Sequence, residues 1–280
     1  MKHTNKKRFF HLTIYLILFC FLLQPFPSTA KVTQPKFTFS DQVVKVGVFD
    51  SAGFWNVNGG YVSGGYAYDY LKAISNYTGW KYEFVTTTLS DAITMLESGK
   101  LALVLGLQQE DQRLETFSFP TNNIGTEFGV VVTKPNNLKL AYNDIKALNG
   151  TKIGCLKGNI YSYKHFPDYC KEKKIDCDLI EYNTESEMFK ALNTGKVDAI
   201  LTNDISNFAD NRIIVKFHAA PIYCATTKGN SYVIEGVDFA LDNLQLDNPA
   251  FGAETYAKYY NKQNSELSLT RDELNYLSSA

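Results

Sequence analysis

The sequence is poor in the residues that build metal, redox and phosphate-backbone sites. Of 280 residues only 4 are His, 5 Cys, 3 Met and 2 Trp, and 28 Lys+Arg against 29 Asp+Glu leave a formal charge of -1. Tracking a nucleic acid takes a basic surplus that neutralises phosphates, so no nucleic acid is expected as a partner. Glycine (18) and proline (8) are too scarce for a collagen or a low-complexity chain, and 45% hydrophobic residues suffice for packed cores. Aromatic residues, in contrast, are plentiful: 19 Phe and 18 Tyr favour stacking surfaces over metal or redox chemistry.

One long apolar run exists, and it lies at the N-terminus. Phe9 to Leu23 (FFHLTIYLILFCFLL) follows Lys2, Lys6, Lys7 and Arg8 and precedes Pro25, Pro27, Ser28, Thr29 and Ala30. Basic, apolar and small-residue stretches in this order read as a secretory signal peptide over residues 1–30, cleaved after Ala30. A bilayer span needs about 20 apolar residues, and this run is shorter and holds His11 and Thr13; an uncleaved anchor is the alternative. Cys20 follows Leu18-Phe19 rather than small residues, which argues against lipidation. The chain is therefore expected in the periplasm or on the outer face of the cell membrane, and loss of the leader's four basic residues takes the charge to -5.

Export opens the question of disulfides. Cys170 and Cys177 close a short loop, where a bond would stabilise by about 2.5 kcal/mol; the alternative is four buried thiols, these two with Cys155 and Cys224. His165 and His218 are far apart and lack ligand spacing, so neither a metal site nor a cofactor is expected. Two histidines also leave no basis for a Ser/His/Asp or Cys/His arrangement. The glycines at Gly59, Gly60, Gly64 and Gly65 lack a following Gly-Lys-Ser/Thr and read as a hairpin or loop tip rather than a phosphate loop.

Strands and helices alternate along the chain. Strands are expected at Val43–Phe49, Lys81–Val85 and Leu101–Leu105, with helices at Tyr68–Tyr77 and Asp91–Ser98. The pattern then restarts: Asn143 caps a short helix ended by Gly150, and strands follow at Thr151–Leu156, Asp178–Tyr182 and Val197–Thr202. An internal echo supports two units. Asp91–Leu105 (DAITMLESGKLALVL) and Glu187–Leu201 (EMFKALNTGKVDAIL) match at an offset of 96 residues, and the opening strands KVGV at Lys45 and KIGC at Lys152 also correspond. The expected fold is α/β and two-lobed. Each lobe is a mostly parallel sheet flanked by helices, and Phe128–Thr133 and Ala219–Thr227 serve as hinge strands. The boundaries are residues 31–133 and 222–265 for the first lobe, 134–221 for the second and 266–280 for a C-terminal tail. A ligand is expected in the cleft, at the carboxyl ends of the strands.

Several stretches in this order resemble the bacterial extracellular solute-binding proteins of family 3: GYAYDYLKAI from Gly65, SGKLALVLG from Ser98, Arg113 with Phe117-Ser118-Phe119-Pro120, LNGTKIGCLKGN from Leu148 and NTGKVDAILTN from Asn193. The resemblance covers nearly all of the chain after the leader. It implies a periplasmic-type binding protein, monomeric, cofactor-free and non-catalytic, that captures a small polar solute, an amino acid or organic acid, by hinge closure. It also implies a site. Arg113 falls where relatives hold a ligand carboxylate, which a guanidinium fork binds at about 1.5–3 kcal/mol per charged hydrogen bond; a surface ion pair is the other reading.

The same resemblance carries Gly106 and Gln108 at a strand end, Gly158 and Asn159 at a helix opening with N–H groups for an anion, and Phe54 or Trp55 as an aromatic over the ligand. Gln108 in a solvated loop, and plain packing of the two aromatics, are the alternatives. The chain also departs from the family. Glu110 replaces a hydroxyl residue and is placed to pair with Arg113; Ala102 replaces a strand aspartate kept at Asp198; and Asn203 replaces the aspartate that takes the ammonium, leaving Asp50 or Asp204 as substitutes. A buried zwitterion needs both charges compensated.

Three functions follow from this. The first is delivery to a membrane ABC permease. The second is a sensory module with a signalling partner, suggested by the tail Ser268–Leu277 (SLTRDELNYL), where Thr270 and Glu273 form a capping box. The third is an exported dehydratase, in which Glu110 or Asp204 would act as acid or base.

Overall fold

The computed structural model describes residues 42–206, 208, 211–260 and 269–279. The leader with its cleavage point, Cys20 and the start of the tail lie outside the described residues.

The chain runs β1 (Val43–Phe49), β2 (Asn56–Asn58), β3 (Tyr61–Gly64), α1 (Tyr66–Thr78), β4 (Lys81–Thr87), α2 (Leu89–Glu97), β5 (Leu103–Gln108), α3 (Asp111–Leu114), β6 (Phe117–Ser118) and β7 (Gly125–Thr133). A 3-10 turn (Ile145–Leu148) leads to β8 (Lys152–Leu156), and a π-helical turn (Tyr161–His165) runs into α4 (Phe166–Lys173). Then come β9 (Asp178–Tyr182), α5 (Glu185–Asn193), β10 (Ala199–Asn203), β11 (Arg212–Thr227), α6 (Ser231–Asp247), α7 (Phe251–Tyr260) and α8 (Arg271–Ser279).

The main sheet has the order β4-β1-β5-β11-β7-β10-β8-β9, with β6 alongside β11. Two parallel trios, β4-β1-β5 and β9-β8-β10, flank the antiparallel pair β7 and β11. β11 is 16 residues long because one strand serves both halves: its start pairs with β7 and its end, Ile222–Ala225, with β5. These two shared strands are the links between lobes. Each lobe has its own core. Val46, Leu71, Ile74, Leu96 and Leu103 pack with Ala240 and Leu241 of α6 in one. In the other, Leu140, Phe166, Leu201 and Phe217 lie in one cluster and Met188, Leu192 and Ile200 in a second.

The 96-residue echo is repeated in hydrogen bonds. Thr88 accepts from the N–H of Asp91 and Thr184 from that of Glu187, so each helix has a Thr N-cap and an acidic third residue. Both helices close alike, with Lys100 N–H on Met95 O and Lys196 N–H on Ala191 O, each at 2.9 Å. Gly99 and Gly195 both sit at φ 73 in the turn, the left-handed conformation that glycine adopts without penalty.

Some local expectations shift. The strand placed at Leu101–Leu105 is Leu103–Gln108, because Leu101 and Ala102 complete the turn after α2, Ala102 N–H reaching Lys45 O. Asn143 does not cap the short helix: it lies at φ 61 and Asp144 is the cap position, without a side-chain bond. The glycines at Gly59 and Gly60 form the β2–β3 turn. In the tail the capping box forms, Thr270 N–H and Oγ1 both donating to Glu273 at 2.8 Å, and Arg271 binds Asp144 and the Leu138 and Lys139 carbonyls. No helix among the described residues is long and apolar enough to cross a membrane.

Candidate functional site

The carboxyl ends of β1, β5, β8 and β10 meet at a narrow cavity of about 40 Å³ between the lobes. Phe49, Ser51, Phe54, Leu89, Gly106, Leu107, Gln108 and Arg113 line it from the first lobe; Leu156, Asn159, Ile160, Glu185, Asn203 and Ile205 line it from the second, with Glu127 of β7. Six of the expected residues are thus brought together: Phe54, Gly106, Gln108, Arg113, Asn159 and Asn203. Asp50, Trp55 and Gly158 are not among the lining residues.

Arg113 is held by the single turn α3 and is 7% exposed. Its Nη1 donates to the Gln108 carbonyl at 3.2 Å, and among the described residues no carboxylate forms an ion pair with it. Glu110, expected to pair with Arg113, instead engages Lys164 and His165 of the other lobe. Gln108 is buried rather than solvated: its amide donates to Glu127 at 2.7 Å and its oxygen lies 3.0 Å from His165 Nε2.

Phe54 forms the apolar floor. It stacks on Phe49 and Tyr66 at centroid separations of 6.2 and 6.0 Å. Gly106 lets the ring approach: it has φ 86, and a Cβ there would lie 2.7 Å from Phe54 Cζ. Trp55 packs edge-on behind Phe54 and against Phe84, away from the cavity.

Two glutamates outside the expected set supply the carboxyls of the cavity. Glu185 opens α5 and is buried; it accepts from Ser206 Oγ at 2.9 Å and, across the cleft, from Ala52 N–H at 3.3 Å and Ser51 Oγ at 3.4 Å. Burial pushes its carboxyl up to about 7 against the opposing pull of these donors. Glu127 is buried on β7, and desolvation raises its carboxyl to about 8, partly offset by the Gln108 hydrogen bond and the nearby charge of Arg113. The two substitutes proposed for the missing aspartate are both occupied. Asp204 accepts Phe128 N–H and Lys216 Nζ, each at 2.8 Å. Asp50 caps α5 from the opposite lobe, accepting Ser186 N–H at 2.9 Å and Oγ at 2.6 Å.

The second lobe's helix opening differs from expectation. Asn159 Oδ1 caps Tyr161 N–H and its own N–H donates to Leu156 O, so that N–H is already used. Gly158 faces Ser90 across the cleft, where a Cβ would lie 3.1 Å from Ser90 Cα. Cys170 and Cys177 are free thiols with their sulfurs 4.0 Å apart. His165 and His218 are not far apart: their rings stack at 3.5 Å, because β11 passes beside the π-helical turn. Together the cavity offers one buried cation, two buried carboxyls, an aromatic floor and amide groups. That inventory suits a small molecule carrying both charges.

Comparison with known families matches residues 44–262 to the bacterial extracellular solute-binding proteins, family 3. Among solved structures, an ancestral arginine-binding protein bound to arginine is 25% identical, with a TM-score of 0.66 over 78% of this chain and 98% of its own. A putative L-cystine ABC transporter protein from Listeria monocytogenes is 18% identical, with a TM-score of 0.68 over 80% and 98%. An ancestral amino-acid-binding protein, a precursor of cyclohexadienyl dehydratase, is 22% identical, with a TM-score of 0.66 over 78% and 95%. The last two are alike in fold alone. No curated protein matches the sequence.

Proposed function

The chain belongs to the bacterial extracellular solute-binding proteins, family 3, and we propose that it is exported, captures an amino acid or related carboxylate in the interlobe cavity, and delivers it to an ABC-type permease. The observation that carries this reading is a buried Arg113 with no carboxylate partner among the described residues, lining the same cavity as Glu185. The charge of Arg113 is felt by Glu127, but burial pushes that carboxyl up to about 8, and a ligand carboxylate supplies the missing counter-charge through two parallel hydrogen bonds. Glu185 takes the ammonium. It stands beside Asn203, both within 2.9 Å of Ser206 Oγ, so the negative charge missing at Asn203 is supplied by the neighbouring helix start.

The mechanism is hinge closure about β7 and β11 without covalent chemistry. The first lobe presents Arg113, Phe54 and Gln108, and the second brings Glu185, Asn159 and Asn203. Asp50 to Ser186 and Ser51 to Glu185 then fasten the closed arrangement at one side of the cavity. The ancestral protein 25% identical to this chain is bound to arginine, an α-amino acid with the charge pair that Arg113 and Glu185 match.

A thermal-shift screen of the purified chain against amino acids and organic acids tests the reading. Ligand at a hundred times its Kd adds about 2.7 kcal/mol, several degrees at roughly 2–4 °C per kcal/mol. Absence of a shift with every member of both classes overturns it. Deleting the gene then separates uptake from sensing: loss of solute accumulation supports delivery, and normal accumulation supports a signalling partner. A dehydratase is the second reading, favoured by two carboxyls raised into the range where a general acid works. It replaces Glu110 and Asp204 by Glu127 and Glu185 as the acid, and lack of turnover of prephenate-like acids removes it.

A further inference from the structure

Outside the cavity, a second group of side chains converges where the lobes meet. Glu110 comes from the first lobe, ahead of α3; His165 ends the π-helical turn of the second; His218 lies on β11. One ligand atom from each falls within 4.8 Å of the others. Glu110 Oε1 is 3.2 Å from His165 Nε2, and the two imidazoles stack at 3.5 Å with 19° between their planes.

The backbone departs from regular geometry at both histidines. His218 is the extra residue of a β-bulge, between the pairs Phe217 with Gly129 and Ala219 with Phe128, and it sits at φ 43. A bulge re-aims a side chain that regular pairing would point elsewhere. His165 ends a single π-helical turn, a feature that often marks functional positions. The group borders a solvent-open cavity lined also by Lys164, Asp168, Tyr169, Glu172 and Phe217, so an ion has a path in.

We propose that Glu110, His165 and His218 form a divalent transition-metal site of the zinc class that bridges the two lobes. Two imidazoles and one carboxylate, with water completing the set, are a common three-ligand zinc arrangement. Zinc bonds of roughly 2.0–2.1 Å place ligand atoms about 3.3 Å apart in a tetrahedron, a distance already met by the Glu110 and His165 pair, and all three ligand atoms lie within 4.8 Å of one another. His165 Nε2 faces two oxygens, Gln108 Oε1 at 3.0 Å and Glu110 Oε1 at 3.2 Å. Metal at Nε2 requires the tautomer with the proton on Nδ1 and displaces the present contacts to Gln108 and Glu110. Lys164 occupies Oε2 and leaves Oε1 facing the rings. Glu110 is a departure from the hydroxyl residue that the family resemblance implies at this position, and it has no ion pair with Arg113.

The test is titration of the full-length chain, without a polyhistidine tag, with Co²⁺ and then Zn²⁺. The proposal expects a visible cobalt band that saturates at one equivalent and is displaced by zinc. It also expects His218→Asn and Glu110→Gln each to weaken zinc by at least about tenfold with the fold retained by circular dichroism. Asparagine tolerates the positive φ at 218, so that variant removes the ligand without straining the bulge. No cobalt band, or unchanged zinc affinity in both variants, overturns the site.

Discussion

Leu89 and Glu185 occupy the same position in two matched helix starts, each following a Thr N-cap whose oxygen accepts from an acidic third residue. Both line the cavity, and so do Leu107 and Asn203, which correspond at the same offset of 96 residues. The scaffold is repeated while the chemistry is not. The first-lobe copy supplies apolar contacts and leaves charge to Arg113; the second-lobe copy supplies a buried carboxylate and an amide. One supersecondary unit thus lines the cavity with an apolar side chain on one side and with a carboxyl on the other. On the proposed function, this asymmetry would orient a ligand with two opposite ends.

Removing the cation from the first lobe has the largest expected effect. Arg113→Ala loses two charged hydrogen bonds of about 1.5–3 kcal/mol each, a loss of at least about a hundredfold in solute affinity; titration calorimetry checks this. Glu185→Leu makes the second lobe copy the first. The ammonium then loses its partner and affinity for a zwitterion falls at least about tenfold. Thermal stability of the ligand-free chain is retained within about 1–3 kcal/mol, because a buried carboxyl is exchanged for an apolar group while Ser51 and Ser206 lose an acceptor. A variant that binds normally would break the comparison.

Gly106→Ala tests the floor. The Cβ meets Phe54 and the φ is unfavourable, so about 1–3 kcal/mol of stability is expected to be lost, measured by urea denaturation. The last test is of pH dependence. The folded-state values of Glu127 and Glu185 lie above the ordinary 4.5, so between about 4.5 and 8 the native chain holds more protons than the unfolded one. Their contribution is fully present below 4.5 and is lost as pH rises towards 8. Melting temperatures of the ligand-free chain at pH 5, 6, 7 and 8 should fall less steeply in Glu127→Gln than in the parent.

Much of the scaffold was legible from periodicity and turn chemistry. The strands Val43–Phe49 and Asp178–Tyr182 stand where the β-branched and alternating runs place them, and the Gly-Lys turns revealed the repeat. The strand Ala219–Thr227 was only the visible end of a strand that begins at Arg212. Lys216 and His218 interrupt its apolar pattern, one pairing with Asp204 and the other bulging out. The lining of the cavity was legible in its cation, its aromatic ring and its strand ends. Its carboxyls were not: Glu185 in NTESEMF looks like an ordinary acidic first turn, and Glu127 in GTEFGVVVT like the polar member of a strand. Reading the echo two residues further back, where Leu89 aligns with Glu185, would have marked one of them. The stacking of His165 on His218 depends on a bulge, which sequence spacing does not encode.

On the proposed function, two unlike walls bind the two ends of one zwitterion. The most direct measurement compares, by titration calorimetry at pH 7, the best amino acid from the screen with two analogues: the amine lacking its carboxylate and the acid lacking its ammonium. Both analogues are expected to bind at least about tenfold more weakly, with the amine indifferent to Arg113→Ala and the acid indifferent to Glu185→Leu. Equal binding of the amino acid and either analogue would contradict it.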